Sequence, residues 1–286
     1  MTNYPISKIL NVGTKKLKSC GIFGARRDAR ILLSKVLGIE SELIISNPDR
    51  VIEKYSEELF FKYISRRCER EPVSKIIGEK FFWKEKFFVN SCVLDPRPDS
   101  EIIIESVLKY NNFLDKDVSI LDIGTGSGAL LLSLLAEFPQ SIGLGIDRSF
   151  KAIKVAKQNS RNLGLNNRAN FAVMDWCSGV NTKFDIVISN PPYIPTSNIQ
   201  TLSPEVRLYD PQIALNGGKD GVKHIETILK SIPKILSIGG FAVIEIGYNQ
   251  LSMVEKKILS NHLRIIEIFR DLSGIDRCIV VSLVGK

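Results

Sequence analysis

From about residue 100 onward, short apolar segments alternate with helical patterns, and this alternation restricts the possible folds more than any other feature of the chain. Five of these segments are apolar along most of their length, as expected of strands that are buried on both faces of a parallel sheet: residues 118–123, 142–146, 170–174, 184–189 and 241–246. Strands that alternate with helices in this way predict an α/β, doubly wound, Rossmann-like sheet.

The end of the chain departs from this alternation. Residues 264–270 and 276–284 have the pattern of two strands, and the short turn Leu272-Ser273-Gly274 between them predicts an antiparallel hairpin. Five parallel strands followed by a hairpin is the arrangement of the seven-stranded methyltransferase sheet, whereas a dehydrogenase continues with parallel strand–helix units. We therefore predict a seven-stranded sheet of the methyltransferase type.

The first third of the chain has a different pattern. Residues 1–75 carry three apolar stripes at helical spacing, which predict a small helical bundle: Ile6, Ile9, Leu10 and Leu17; Ala29, Leu32, Leu33, Val36 and Leu37; Leu59, Phe60, Tyr63 and Ile64. The aromatic residues between positions 81 and 89 predict a β-hairpin connector over residues 76–94, so that residues 95–286 form a catalytic domain. Such a cluster can stack on nucleic acid, but it more often packs against protein.

The basic charge is concentrated in the same third. The chain has a formal net charge of +8, and residues 1–90 hold 18 Lys and Arg against 11 Asp and Glu. This asymmetry favours either an anionic partner for the N-terminal bundle or a solvated basic surface that aids solubility. Residues 1–27 contain no acidic residue, but they are Lys-rich and have no apolar secretory core, so we predict a helix there rather than a targeting segment.

Cysteine usage and hydropathy exclude several classes of protein. The five cysteines are scattered without CxxC spacing and the chain has only two histidines, His224 and His262, so we predict idle or buried thiols in a reducing, cytoplasmic compartment and no metal site. No apolar run approaches the roughly 18 residues that a membrane span requires, so no membrane association is expected.

A glycine-rich loop follows the first predicted strand and precedes a helix. Gly124-Thr125-Gly126-Ser127-Gly128 allows the backbone to turn sharply and to approach a ligand closely. Asp147 ends the second strand, 23 residues after Gly124, where a carboxylate can accept hydrogen bonds from both ribose hydroxyls. A helix N-cap is the structural alternative for Asp147. Nicotinamide enzymes use similar loops, so the loop alone does not identify the ligand.

Asp175 and Trp176 end the third predicted strand. The indole of Trp176 can lie against an adenine, and Asp175 can accept its exocyclic amine, although an indole at this point can also simply pack between domains. The glycine spacing, the single acidic residue and the terminal hairpin together favour S-adenosyl-L-methionine over a dinucleotide.

The fourth predicted strand ends in Asn190-Pro191-Pro192-Tyr193. An amide nitrogen is a poor nucleophile because its lone pair is delocalised, so it must be held in line with the methyl group while its N–H groups are polarised. The Asn190 side-chain oxygen and the Pro191 carbonyl can each accept one N–H, and the prolines stiffen the backbone. Tyr193 can lie on the planar substrate group. A proline turn without function is the alternative.

The Asn190–Tyr193 motif resembles the one shared by methyltransferases of amino and amide nitrogens, including N6-adenine enzymes. Other stretches resemble the peptide chain release factor glutamine N5-methyltransferase family, and together they cover nearly the whole chain: residues 77–82, 94–101, 204–207 and 270–277, with Pro211, Ala214 and Leu215. The resemblance implies that the enzyme methylates the glutamine of a Gly-Gly-Gln loop on class-1 release factors, which supports translation termination, with S-adenosyl-L-methionine as methyl donor.

The resemblance also implies a role for individual residues. It places the cofactor against Gly124, Thr125, Gly126, Ser127, Gly128, Asp147, Trp176 and Asn190, with Asp175 as a further candidate, and the glutamine against Asn190, Pro191, Pro192 and Tyr193. The segment around Arg97-Pro98 is expected to fold over the cofactor pocket. Asp95 stands where the family usually has an aliphatic residue, and Ser100 replaces threonine, which leaves the packing of this segment open.

Two other functions are compatible with parts of the pattern. A nucleic-acid amino-group methyltransferase, acting on N6 of adenine or N2 of guanine, would share the fold and the Asn-Pro-Pro-Tyr motif, and the basic N-terminal third favours it. The helical and hairpin regions do not resemble a target-recognition domain, so no direct nucleic-acid substrate is expected. A dinucleotide oxidoreductase is disfavoured because neither histidine ends a strand.

Overall fold

A computed structural model describes residues 4–110, 117–271 and 273–284, and in it the chain forms two compact units. The helical unit comprises the residues up to Glu79 together with Ser203–Tyr209. The sheet unit comprises Lys80–Leu202 and the residues from Asp210 onward. The segment Ser203–Tyr209 was expected in the catalytic domain from its position in the sequence, and its membership of the helical unit follows from contacts that the sequence pattern does not reveal.

The helical unit is built on helices whose apolar faces were predicted from spacing. Its N-terminal elements are α1 (Ile6–Ser19), α2 (Ala25–Leu37), α3 (Ser41–Ser46), α4 (Lys54–Cys68) and α5 (Val73–Ile77). Ile6, Ile9, Leu10 and Leu17 of α1 are buried together with Leu32 and Leu33 of α2 and Phe60 and Ile64 of α4. At Gly13 an added Cβ would lie 2.6 Å from the Phe60 ring, so the glycine permits the close approach of α1 and α4.

A disulfide joins two of the five cysteines. Cys20, at the end of α1, is bonded to Cys68, at the end of α4, with 5.4 Å between the Cα atoms. The prediction of idle or buried thiols is therefore wrong for this pair, because the packing of α1 on α4 brings together residues that lie 48 positions apart. Cys92, Cys177 and Cys278 are free.

A short hairpin follows α5, with strands β1 (Glu79–Phe82) and β2 (Glu85–Phe88). Phe82 and Phe87 are buried in the core of the sheet unit, with ring centroids 6.2 Å apart. The indole Nε1–H of Trp83 donates to Glu137 Oε1 at 2.7 Å. These three aromatic side chains have protein partners, so they do not form the nucleic-acid platform that the sequence left open.

The sheet unit contains the seven strands that the sequence predicted. They are β3 (Ser119–Ile123), β4 (Ile142–Asp147), β5 (Ala169–Val173), β6 (Phe184–Ser189), β7 (Leu236–Glu245), β8 (Leu263–Arg270) and β9 (Asp276–Leu283). Their order across the sheet is β5-β4-β3-β6-β7-β9-β8, and β9 is antiparallel to β7 and β8 while the other pairs are parallel. The closing hairpin is confirmed; Leu272 of its predicted turn lies outside the described residues.

The central strands are apolar because both faces of the sheet are covered. On one face of the sheet, a core cluster includes residues of α6 (Glu101–Lys109) and α7 (Ala129–Glu137) together with strand residues Ile120, Ile186, Val243 and Val280. The residue that follows each of these in its strand belongs to a second cluster: Leu121, Val187, Ile244 and Val281. The second cluster contains α10 (Lys223–Ile235) and α11 (Leu251–Ser260), while α8 (Phe150–Asn162) packs on β4 and β5. The remaining helix, α9 (Pro204–Tyr209), belongs to the helical unit. Consecutive strand residues point to opposite faces, which produces this alternation.

β7 differs from its prediction. It begins at Leu236, five residues before the apolar run that starts at Phe241, because Leu236 pairs with Phe184 across a register irregularity.

Among the described helices, none is long and apolar enough to span a membrane.

Candidate active site

A cavity of about 540 Å³ opens in the sheet unit where β3, β4 and β6 end. Its wall combines residues at or after the ends of β3, β4, β5 and β6 with segments from elsewhere in the chain, among them residues 92–94, residues 211–214 and the first turn of the helix that begins at Lys223. Carboxyl ends of parallel strands are the usual ligand-binding edge of a doubly wound sheet, and the volume is that of a small-molecule site.

The loop after β3 passes through three glycines with left-handed backbone, Gly124 (φ 77°), Gly126 (φ 56°) and Gly128 (φ 80°). Gly124 and Gly126 line the cavity, and a Cβ added at Gly124 would meet nothing within 4 Å. At Gly128 it would instead lie 3.2 Å from the side chains of Ala156 and Leu132. The first two glycines therefore expose backbone to the cavity, while the third allows α7 to begin against α8.

Asp147 lies at the end of β4 in the wall of the cavity, as the sequence predicted. One carboxylate oxygen accepts the Gly126 N–H at 3.0 Å and the other accepts the Ser149 N–H at 2.8 Å. Burial raises the pKa of Asp147, and the two backbone hydrogen bonds oppose this effect. Ser149, rather than Asp147, caps α8 by accepting the Ala152 N–H. The unused lone pairs of Asp147 can accept hydrogen bonds from a ligand's hydroxyl groups.

Other residues of the glycine-rich loop do not line the cavity. The Thr125 hydroxyl donates to Asp122 Oδ2 at 2.6 Å, and the Ser127 carbonyl accepts a hydrogen bond from Asn159 at 2.9 Å. Asp122 is fully buried; burial raises its pKa to about 7, and the nearby charge of Asp147 contributes in the same direction. Thr125 and Ser127, predicted as cofactor contacts, thus have side-chain and backbone partners that hold the loop in place.

Trp176 lines the cavity, but its neighbour Asp175 is exposed and does not. Trp176 has left-handed backbone (φ 50°), and its ring lies 5.0 Å from the ring of His224, with a tilt of 32° between the planes. His224 Nε2 lies 3.1 Å from the Asn216 carbonyl oxygen, and burial lowers the His224 pKa, so the ring is neutral at neutral pH. The described geometry places the indole, and not the Asp175 carboxylate, beside the ligand space.

Asn190 and Pro192 of the Asn-Pro-Pro-Tyr segment line the same cavity. The side-chain NH2 group of Asn190 donates a hydrogen bond to Ser100 Oγ at 2.8 Å, so the side-chain carbonyl oxygen of Asn190 is left as an acceptor. Pro191 is buried. Tyr193 does not line the cavity: its hydroxyl donates to Glu245 Oε1 at 3.0 Å, and its carbonyl accepts a hydrogen bond from Gln250 at 2.8 Å. Burial, with the charge of Glu245, raises the pKa of Tyr193 far above its usual value.

The structure adds residues that sequence reasoning did not assign to the site. His224 was set aside because it does not end a strand, yet the first turn of α10 places it against Trp176. Residues 92–94 and 211–214 also line the cavity, and part of the second segment had stood out only through the family resemblance. Next to these segments, Arg97 pairs with the buried carboxylate of Asp210. Asp95 is buried as well, with 4% of its surface exposed.

The arrangement fits a nucleoside. The cavity presents exposed glycine backbone, an acceptor-only carboxylate at Asp147 and an aromatic face at Trp176, which suit a nucleoside with free ribose hydroxyls. No group of His, Cys, Asp and Glu in the described ranges has the geometry of a metal site.

Comparison with known proteins identifies both parts of the chain. Residues 8–78 match the family model of the PrmC N-terminal domain, and residues 114–267 match a methyltransferase domain. The release factor glutamine methyltransferase of Rhodospirillum rubrum is 41% identical over 275 residues, covering 96% of this chain and 84% of that protein. The chain belongs to the release factor glutamine methyltransferase family. A relative with the same name from Caulobacter vibrioides is 42% identical, over 93% of this chain and 92% of its own length.

As a family member, the chain is an S-adenosylmethionine-dependent methyltransferase, in agreement with the sequence prediction. Solved structures support the fold alone. The hMettl16 catalytic domain aligns with a TM-score of 0.55 at 14% identity, over 70% of this chain and 76% of that one. The ribosomal protein L11 methylase of Lactobacillus delbrueckii subsp. bulgaricus aligns with a TM-score of 0.50 at 18% identity, over 67% and 83% of the two chains.

Proposed function

We propose that this enzyme transfers the methyl group of S-adenosylmethionine to the side-chain amide nitrogen (N5) of the glutamine in the Gly-Gly-Gln motif of class-1 peptide chain release factors. The observation that carries the proposal is the orientation of Asn190. This residue lines the cavity, and its side-chain NH2 group already donates a hydrogen bond to Ser100. Its carbonyl oxygen therefore remains to accept an N–H from the substrate amide. The names of the relatives support the same substrate.

The cofactor, when bound, supplies an electrophilic methyl group on a sulfonium sulfur. We assign its binding to the backbone of Gly124 and Gly126, to Asp147 as acceptor for the ribose hydroxyls and to Trp176 beside the adenine. Four other predicted cofactor contacts do not line the cavity and contribute less directly to cofactor binding: Thr125, Ser127, Gly128 and Asp175.

The protein then has to orient the glutamine amide. Asn190 accepts one amide N–H and the Pro191 carbonyl accepts the other, which leaves the nitrogen lone pair in line with the methyl group. Catalysis comes from positioning and from fixed dipoles, without a strong base. As the nitrogen gains the methyl group it gives up one of its two protons to solvent, and the remaining N–H stays hydrogen-bonded to one of these two acceptors. Tyr193 holds the backbone of the segment through its bonded hydroxyl rather than by stacking on the substrate.

We propose further that the helical unit, residues 1–75 with α9, recognises the release factor in the cytoplasm. Lys15 and Lys18 are exposed cations on α1 and suit an acidic surface. Charge reversal at both should lower kcat/KM for an intact release factor more than for a short Gly-Gly-Gln peptide, because the peptide cannot reach remote contacts. Lys256, exposed on α11, is the matched control. Equal losses on protein and peptide would remove this role.

The decisive experiment offers labelled S-adenosylmethionine with three acceptors: a class-1 release factor, the same factor with its Gly-Gly-Gln glutamine replaced by alanine, and DNA or RNA. Label on the first acceptor alone supports the proposal. Label on nucleic acid would favour the alternative, an amino-group methyltransferase, for which the net basic charge of the first 90 residues is the supporting observation.

A further inference from the structure

We propose that Gln250 is a positioning residue for methyl transfer, which holds the C-terminal end of the Asn-Pro-Pro-Tyr segment and thereby fixes the direction of the Pro191 carbonyl. The inference rests on the proposed function, in which that carbonyl accepts one N–H of the substrate amide. Gln250 directly precedes α11, has 4% of its surface exposed and does not line the cavity. Its side chain therefore acts through the backbone of Tyr193 rather than by touching the substrate or the cofactor.

The Gln250 side chain bridges two backbone groups. Its carbonyl oxygen accepts the Gly247 N–H at 2.8 Å, and its NH2 group donates to the Tyr193 carbonyl oxygen at 2.8 Å. A backbone N–H can only donate and a backbone carbonyl can only accept, so the two partners determine which end of the side-chain amide faces each of them. Because the side chain is buried, water does not compete for either bond. Gln250 thus ties the loop after β7 to the end of the Asn-Pro-Pro-Tyr segment.

The loop before α10 is shaped around this bridge. A Cβ added at Gly221 would overlap both Gln250 Nε2 and the Tyr193 carbonyl oxygen. One added at Gly217 would lie 2.8 Å from the Tyr193 carbonyl carbon. The Gly217 N–H also donates to the Ile194 carbonyl at 2.8 Å, so the same loop holds the chain just beyond the bridge. The absence of side chains at the two glycines gives Gln250 its access to the Tyr193 backbone.

Both ends of the segment are fixed, and the residues between them are stiff. Asn190 follows β6, which is paired on both sides in the sheet, and Gln250 holds the Tyr193 carbonyl at the other end. Only Pro191 and Pro192 lie between, and their rings fix φ. The direction of the Pro191 carbonyl then depends on rotation about the Cα–C bonds of the two prolines, which an anchor at each end restricts. Without the Gln250 bond, this carbonyl can turn away from the substrate N–H.

The first test removes the bridge. Gln250→Met keeps the length of the side chain without its hydrogen bonds, so kcat should fall by about tenfold or more, the scale of misplacing one catalytic group, while the KM for the release factor and the affinity for S-adenosylmethionine stay within about twofold. Gln158→Met, at an exposed glutamine on α8, is the matched control and should retain the wild-type kcat. An unchanged kcat for Gln250→Met, or a loss confined to KM, would overturn the proposal.

Gln250→Glu separates the two bonds and serves as the test if Gln250→Met does not fold. The carboxyl group keeps an acceptor for the Gly247 N–H in both protonation states, but it donates to the Tyr193 carbonyl only when protonated. The ratio of its kcat to that of the wild type should fall as pH rises from about 6 to about 9, a range that includes the pKa values of buried glutamates. A ratio that does not fall would overturn the proposal. The native charged groups around Tyr193 are present in both proteins, so their titration is common to both profiles: Glu245, Asp99 and Arg277.

A third measurement needs no acceptor substrate. The backbone amides of Ile194 and Gly217 are both hydrogen-bonded next to the bridge. Their hydrogen exchange should be faster in Gln250→Met than in the wild type and in Gln158→Met, because the chain there is held less firmly. If no release factor were labelled while this difference persisted, the proposed substrate would fail and the anchoring role of Gln250 would stand. Unchanged exchange at both amides would overturn the role of Gln250 whatever the substrate.

Discussion

Arg67 and Glu205 lie 138 residues apart in the chain, yet both terminal nitrogens of Arg67 donate to Glu205 Oε1 at 3.2 Å. Arg67 also donates to Asp28 at 3.0 Å, and Arg70 pairs with the same Glu205. Arg66 forms a bidentate salt bridge with Glu71. The charges of these three arginines are therefore matched inside the helical unit, so exposed lysines are better candidates for contact with an acidic partner.

The Arg67–Glu205 pair leads to a prediction about stability. Glu205→Gln should lower the free energy of unfolding by about 1–3 kcal/mol, because it removes the negative charge that two partly buried guanidinium groups share and leaves them a weaker, neutral acceptor. Glu58→Gln is the matched control, since Glu58 pairs with Lys54 on the exposed face of α4 and should cost less than about 1 kcal/mol. Urea unfolding of both variants checks this, and similar values for the two would show that Glu205 is not a structural anchor.

Asp147→Ala should weaken S-adenosylmethionine binding by roughly 1–3 kcal/mol, the scale of losing charge-assisted hydrogen bonds. Part of this loss comes from the Gly126 N–H, which also loses its acceptor. Asp175→Ala, at an exposed carboxylate on the next strand end, should change the affinity little. Calorimetry on both variants distinguishes the two carboxylates, and an unchanged affinity for the Asp147 variant would remove this residue from the cofactor site.

Asn190→Ala should reduce methyl transfer by at least about a hundredfold, the scale of one lost oriented partner in an active site. Cofactor affinity should remain largely intact, because Gly124, Gly126, Asp147 and Trp176 still line the cavity. Single-turnover rates, measured together with cofactor affinity, separate the two effects. Transfer near the wild-type rate would mean that the Asn-Pro-Pro-Tyr segment is only a turn.

Asp122 should make stability depend on pH. Its pKa is about 7 in the folded protein, against 3.8 for an unburied aspartate, so the folded state holds a proton that the unfolded state releases between these values. Stability therefore falls as pH rises from about 4 to about 7, by up to about 4 kcal/mol at roughly 1.4 kcal/mol per unit. Asp122→Asn should gain stability relative to the wild type across this range in urea unfolding. Parallel curves for the two proteins would contradict the prediction.

Local patterns were sufficient for most of the fold and for the centre of the site. Strand runs such as residues 184–189 are apolar because both sheet faces are covered, and Phe184–Ser189 is the strand observed. Gly124, Asp147 and Asn190 follow β3, β4 and β6, and parallel strands bring their carboxyl ends to one edge. The sequence could therefore predict that these three residues meet in one cavity. It could not predict which neighbours turn toward that cavity, as the opposite placements of Trp176 and Asp175 illustrate.

The sequence by itself determined the order and type of the strands, the loops that carry the glycines, Asp147 and Asn190, and the family, because these depend on residue spacing and short motifs. Only the tertiary structure decided that Glu205 joins the helical unit, that Cys20 meets Cys68, that His224 lies against Trp176 and that Glu245 is buried beneath Tyr193. Each of these contacts joins residues far apart in the chain. Such pairs form through the packing of whole elements, and no local pattern specifies the partner.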